Sequence, residues 1–137
     1  MPRFPSIEWA EQFCRLINDS DEYLKAAKGW VWPIIFVVKN IPDSVSPDAD
    51  SVGLYVDLDN GRCKGVRLVR DLDSEDAPFI IEGDYQNWMD IIVNGVDPVK
   101  ALVTRRIRLV KGNFSTILRY PKAAITLVKL AQEVGFD

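Results

Sequence analysis

The sequence predicts an α+β domain built on a five-stranded, mainly antiparallel sheet. Three observations carry that prediction. Two alternating segments meet at Asp59-Asn60-Gly61, a tight turn whose residues accept left-handed backbone angles. A continuous branched apolar run, Ile34 to Lys39, reads as a central strand covered on all sides. Helical segments with good caps are grouped before and after the strands rather than alternating with each of them. At 137 residues the chain makes one domain, residues 1–137. That length buries roughly two thirds of the extended surface, enough for a real core.

The elements follow in order. Ser6 is a fitting N-cap for a helix through Ile17, with Trp9, Ala10, Phe13, Cys14, Leu16 and Ile17 on its apolar face. Ser20 caps a second, short helix with Asp21 and Glu22 in its first turn and Lys28 in its last; Gly29 ends it. After the central strand, Asn40 to Ser51 carries prolines, aspartates and serines and reads as a loop. Ser51 to Leu58 alternates, with Val52, Leu54, Val56 and Leu58 on one face. Arg62 to Arg70 returns as an edge strand whose cations resist aggregation. The acidic run Asp71 to Asp76 is a solvated loop without calcium-loop spacing. Pro78 to Gly83 is a short strand, and Asp84 caps a helix to Asn94 closed by Gly95. Asp97-Pro98 opens another short helix through Val103. Arg105 to Val110 is the last strand. Lys111-Gly112-Asn113 breaks the chain, Phe114 to Tyr120 forms a helical turn, and Pro121 opens the C-terminal helix.

Composition excludes several functions. Hydrophobic residues make up 47% and charged residues 27%, ordinary for a soluble globular protein. A net charge of -3 gives no electrostatic reason to expect nucleic acid. The absence of histidine removes Ser-His-Asp and Cys-His catalysis and the commonest metal ligand, so no metal and no cofactor is expected. Cys14 and Cys63, far apart in sequence, are expected as two free, buried thiols rather than a disulfide, which places the chain in the reducing cytoplasm. No N-terminal signal and no long apolar run appears, so membrane contact is at most transient and superficial.

Two helices are too apolar for an ordinary surface position. On a helical wheel, Lys122, Thr126, Lys129 and Glu133 fall into one polar stripe of the C-terminal helix. Ala123, Ala124, Leu127, Val128, Leu130, Ala131 and Val134 take most of the rest. A surface helix is apolar over about a third of its circumference. Tyr85, Trp88, Met89, Ile91, Ile92 and Val93 likewise span about half of the earlier helix. Such surfaces bury against several neighbours, or they line an apolar space that a guest fills.

Several short motifs, in their order and spacing, resemble the type-two sterol carrier protein family over nearly the whole chain. They are Glu8-Trp9, Glu22-Tyr23, Ala26-Ala27-Lys28-Gly29-Trp30, the Tyr55-to-Cys63 hairpin, Gly83-Asp84-Tyr85 with Trp88, Asp97-Pro98, and Val110-Lys111-Gly112-Asn113. The resemblance implies helices packed over one face of the five-stranded sheet. It also implies an apolar tunnel between them, closed in part by the C-terminal helix, for fatty acids, acyl thioesters or sterols. Trp32-Pro33 stands where many relatives are more polar, and the ending Gly135-Phe136-Asp137 carries no peroxisomal Ser-Lys-Leu address.

Placed on this frame, the candidate ligand-binding residues are Phe36 and Val38 on the central strand and Trp88, Ile91 and Ile92 on the third helix. Leu102 comes from the fourth helix, and Ile117, Leu118, Tyr120, Ala124, Leu127, Val128 and Ala131 from the C-terminal region. The same side chains would serve as plain core; the small Ala123, Ala124 and Ala131 favour room for a chain-like guest. Arg105, Arg106, Arg108 and Lys111 form a basic cluster that would hold a carboxylate or phosphate head group, or else a solvated strand edge. Trp30 and Trp32 would dip into a membrane interface or seal a helix-to-strand corner.

The leading expectation is a cytoplasmic, non-catalytic lipid carrier whose partner is a hydrophobic small molecule such as an acyl chain, acyl thioester, sterol or isoprenoid lipid. The alternative is a protein-interaction or dimerisation module of a lipid-metabolising assembly, its surplus apolar surface covered by a partner. A third expectation, an acyl-thioester hydrolase with Glu82 or Asp84 as lone base, lacks any accompanying nucleophile or oxyanion motif.

Overall fold

A computed structural model of the chain describes residues 2–135. Phe136, at the end of the apolar C-terminal stretch, lies outside the described residues. The elements run α1 (Ile7–Asn18), α2 (Asp21–Ala26), β1 (Ile34–Lys39), β2 (Val52–Asp59), β3 (Arg62–Val69), β4 (Phe79–Asp84), α3 (Tyr85–Asn94), α4 (Pro98–Val103), β5 (Ile107–Lys111), α5 (Phe114–Ile117) and α6 (Pro121–Val134). The fold is α+β, and the strand order is β3-β2-β1-β4-β5.

Three of the four pairings are antiparallel: β1 with β2, β2 with β3, and β4 with β5. The fourth is parallel, with Ile34 opposite Phe79 and Val38 opposite Gly83. The expected meander therefore holds for the first three strands and stops there. The chain leaves β3 at one edge, crosses the sheet, and lays β4 on the free side of β1. Two partners for β1 account for its unbroken apolar sequence.

Side-chain alternation divides the sheet into two environments. Ile34, Val38, Leu54, Val56, Leu58, Phe79 and Ile81 face the helices and join one large core with Trp9, Phe13, Ile17, Trp88 and Ile91. On the far face Ile35 and Val37 make a small separate cluster with Ala77, Tyr55, Leu72 and Ile80. The loop between β3 and β4 covers that cluster. It is tied down by Lys111 to Asp76 at 2.6 Å and by Arg67 to Glu75 at 3.4 Å, while the Arg67 guanidinium lies 4.1 Å over the Tyr55 ring. The Lys111 hydrogen bond holds the Asp76 carboxyl below the usual carboxylate range.

Local chemistry sets the helix ends. Ser6 and Ser20 accept from Trp9 N and Tyr23 N, and Asp97 accepts from Val99 N. Asp84 precedes α3 but makes no capping bond. Its Oδ1 accepts from Asn40 Nδ2 at 2.8 Å, so the side chain joins two strand ends instead of serving the helix. The helix α6 packs mainly against α1, α2, α3 and α4. Its buried arc differs from the wheel reading: Thr126 is 4% exposed, whereas Ile125 is 42% exposed. Thr126 tolerates burial because its hydroxyl donates to Lys122 O at 2.7 Å, one turn back.

The cysteine expectation is overturned. Cys14 on α1 and Cys63 on β3 form a disulfide, with Cα atoms 5.4 Å apart. Helix α1 packs on β3 and brings the two positions within bonding reach, despite a sequence separation of 49. Disulfides persist in oxidising surroundings, so the argument for the cytoplasm from two reduced thiols lapses.

Thiol titration of the unfolded, unreduced protein should detect no free cysteine, and titration after reduction should detect both. Closing a loop of about 50 residues implies that the Cys14→Ser, Cys63→Ser double variant loses about 2–4 kcal/mol in a denaturant melt. An unchanged midpoint would show that the bond adds nothing to the folded state.

Candidate functional site

Between α6 and the sheet lies a cavity of about 130 Å³. Its floor is the helix-facing side of the sheet, with Phe36 and Val38 from β1, Leu54, Val56 and Leu58 from β2, and Ile81 from β4. Helices α1 to α4 supply the walls through Ala10, Phe13, Tyr23, Trp88, Ile91, Ile92, Val99 and Leu102. Ala123, Ala124, Leu127, Val128 and Ala131 of α6 form the roof. No charged residue lines it. The arrangement follows from the sequence: alternation presents a smooth apolar floor, and three alanines on the roof withdraw the volume that larger side chains would fill.

Particular residues hold this shape. Gly83 on β4 lets the Trp88 indole lie close to the sheet, where Nε1 donates to Val37 O at 3.0 Å. A Cβ at Gly83 would stand 2.7 Å from Ile107 Cγ2 and 3.2 Å from Trp88 Nε1. At the corner between α2 and β1, Trp30 packs edge-on against Trp32 and Tyr120. Its Nε1 donates to Trp32 O at 2.8 Å. The Tyr120 hydroxyl occupies the space beside Gly29, which has φ +96 and no side chain to oppose it. This aromatic group seals the corner and borders the cavity, which gives Trp30 a structural place rather than an exposed one.

Twelve of the thirteen candidate ligand-binding residues line the cavity: Phe36, Val38, Trp88, Ile91, Ile92, Leu102, Ile117, Tyr120, Ala124, Leu127, Val128 and Ala131. Leu118 does not; it is 48% exposed just after α5. Residues outside the candidate set also reach the lining, among them Phe4, Trp9, Phe13, Tyr23, Trp30 and Phe79. The clean two-faced pattern of α1 reads as one-sided packing, and nothing in it distinguishes a packed face from a cavity wall.

The basic cluster stands apart from the cavity. None of Arg105, Arg106, Arg108 or Lys111 lines it. Arg106 pairs with Asp90 of α3, Arg108 with Glu82 of β4, and Lys111 with Asp76. Arg108 and Glu82 are cross-strand partners on the far face of the sheet, where Lys39 also reaches Glu82 at 3.4 Å. Glu82 is thus a partner for two cations, and neither it nor Asp84 touches the cavity. Among the described residues no group of His, Cys, Asp or Glu is placed to hold a metal ion. None of their helices is long and apolar enough to cross a membrane.

Gly83→Ala should destabilise the protein by about 1–3 kcal/mol, because the added methyl forces Ile107 and Trp88 out of a filled site. A thermal melt following Trp fluorescence checks it; an unchanged melting temperature and spectrum would mean that the wall adapts freely.

Solved structures match this fold over nearly its whole length. A crystal structure of sterol carrier protein 2 superposes with a TM-score of 0.83 at 32% identity, covering 93% of this chain and 96% of that one. The solution structure of a conserved hypothetical protein from Thermus thermophilus, described as possibly a sterol carrier protein, gives 0.85 at 32% identity, covering 96% and 90%. Sterol carrier protein 2 from Yarrowia lipolytica, in its apo form, shares the fold at a TM-score of 0.57 and 14% identity, covering 92% and 88%. No protein-family model matches the chain, and no curated protein does. A third of the residues identical across almost the full length of both chains, on one and the same fold, places this chain in the sterol carrier protein 2 family.

Proposed function

We propose that this chain is a non-catalytic lipid carrier that holds a fatty acyl chain, acyl thioester, sterol or isoprenoid-type lipid in the cavity beneath α6. One observation carries the reading: an apolar space with no charged residue in its lining, lying between the sheet and a helix held mainly by other helices. Membership of a family whose solved members are named sterol carriers supports it. The driving force is removal of apolar surface from water. Each buried methylene contributes about 0.8 kcal/mol, so a long chain binds usefully with little help from polar contacts. The partner is a hydrophobic small molecule, nucleic acid plays no part, and contact with a membrane surface is confined to loading and release.

Size sets a condition on this reading. Pockets for drug-sized ligands usually span roughly 300–1,000 Å³. A cavity of about 130 Å³ is nearer the size that takes a single aromatic ring. A long-chain guest therefore requires α6 to move outward. Its roof residues Ala124, Leu127 and Val128 are only half-buried and its outer face carries the exposed Ile125, whereas Leu130, Ala131 and Val134 toward its C-terminal end are buried. The C-terminal end is tied more firmly, by Trp9 Nε1 donating to Gly135 O at 2.8 Å and by Lys129 to Glu22 at 3.4 Å.

Native mass spectrometry of the purified protein, followed by extraction, tests the proposal. A lipid released from a monomer supports the carrier; an empty dimer of constant mass supports the interaction module instead. Ala124→Trp, which fills the roof, should lower uptake of a fluorescent acyl probe more than tenfold with the far-ultraviolet circular dichroism unchanged. Undiminished uptake by that variant would place the guest elsewhere.

A further inference from the structure

The cavity borders contain four side chains that bear a polar hydrogen and are themselves buried: Trp9, Trp30, Trp88 and Tyr23. The three indoles are satisfied. They donate to Gly135 O, Trp32 O and Val37 O, at 2.8, 2.8 and 3.0 Å. Tyr23 is the exception. It is 1% exposed, and its one hydrogen bond outside the helix ladder is from its backbone N–H to Ser20 Oγ, with no partner for the hydroxyl among the described residues. A buried tyrosine hydroxyl normally finds one, because leaving it unpaired costs the desolvation of the group. Burial also raises the pKa of this phenol well above its ordinary value, so the proton stays on the oxygen and remains available to donate.

The unpaired oxygen is nonetheless not sealed in. Among the described residues no side-chain oxygen or nitrogen is both closed off from contact and unpartnered. The Tyr23 oxygen therefore keeps a small accessible surface, and Tyr23 is one of the residues that line the cavity. From these observations we infer that Tyr23 is an internal polar anchor, donating a hydrogen bond to an uncharged oxygen of the guest, a hydroxyl or carbonyl, held inside the cavity. This rests on the carrier reading and adds an orientation to it: the polar end of the guest goes inward, toward α2, and not outward toward arginines.

The chemistry of the lining narrows the class further. One phenol is a sufficient partner for an alcohol, an ester or a thioester carbonyl. It is not sufficient for an ionised carboxylate, which brings a full charge into a space with no cation and no second donor among its buried walls. The half-exposed Tyr120, whose hydroxyl lies beside Gly29, can be served by water and has no such need.

Titrating the wild type and Tyr23→Phe with 1-dodecanol, dodecane and dodecanoate, read through the intrinsic tryptophan fluorescence to which Trp9, Trp30 and Trp88 of the lining contribute, tests the anchor. Removing the phenol oxygen should weaken dodecanol about five- to tenfold and leave dodecane within about twofold, since one neutral hydrogen bond is lost and the apolar contact is kept. Near neutral pH, dodecanoate should bind the wild type more weakly than dodecanol. Equal changes for dodecanol and dodecane on substitution would overturn the anchor while leaving the carrier reading intact. Dodecanoate binding as tightly as dodecanol would overturn the preference for an uncharged oxygen. If none of the three binds the wild type, the anchor falls together with the carrier reading.

Discussion

The helix α6 is supported at its margins and not beneath its centre. Four other helices hold it, and the cavity lies between its inner face and the strands. Much else in the molecule follows from that suspension. The floor must be continuous and apolar, so β1 carries two partners and an unbroken branched sequence. The roof must be thin, so its inward residues include Ala123, Ala124 and Ala131. The corners must be closed without filling the middle, so large rigid rings gather at Trp30, Trp32, Phe79 and Tyr120. Dense packing at the rim and a void at the centre satisfy both the stability of the fold and its capacity for a guest.

The sheet separates two kinds of surface. Its helix-facing side is carbon, and its other side concentrates charge, with Lys39, Glu82 and Arg108 forming one group and Lys111 and Asp76 another. Sequence places Arg105, Arg106 and Arg108 in the last strand and Lys111 just after it, and the strand does border the cavity, through Ile107. Alternation along β5, however, sends Ile107 to one side and Arg108 to the other. Most of the cations that invite a head-group role are already paired with acids, at a mostly exposed edge where each pair is worth little in stability.

Local chemistry was readable from sequence, and spatial neighbourhood was not. The serine caps, the Asp59-Asn60-Gly61 turn, the alternating strands and the two broad apolar helices depend on residues within one or two turns of each other, and they appear where sequence puts them. The crossing from β3 to a parallel β4 depends on which side of β1 is free, which no local pattern records. The disulfide depends on α1 lying over β3, and 49 residues of separation hide that contact. The rotation of α6 was missed for a different reason. A threonine reads as polar on a helical wheel, but its hydroxyl can be satisfied by its own helix and its methyl then packs as an aliphatic group. The contribution of Tyr23 and the α1 aromatics to the cavity was hidden because a wall and a core have the same composition.

The parallel pairing of β1 with β4 also shapes the order in which the molecule can assemble. The hairpin of β2 and β3 closes through two residues, whereas Ile34 must find Phe79 across 45 positions of intervening chain. Loop closure over that span costs entropy before any contact repays it, and such non-local pairings slow folding. The N-terminal half of the sheet can therefore collapse from nearby contacts. The second half, and the roof that follows it in sequence, must dock onto a surface already formed. A ribosome releases this chain in the same direction, so the apolar floor is on display until the last helix emerges.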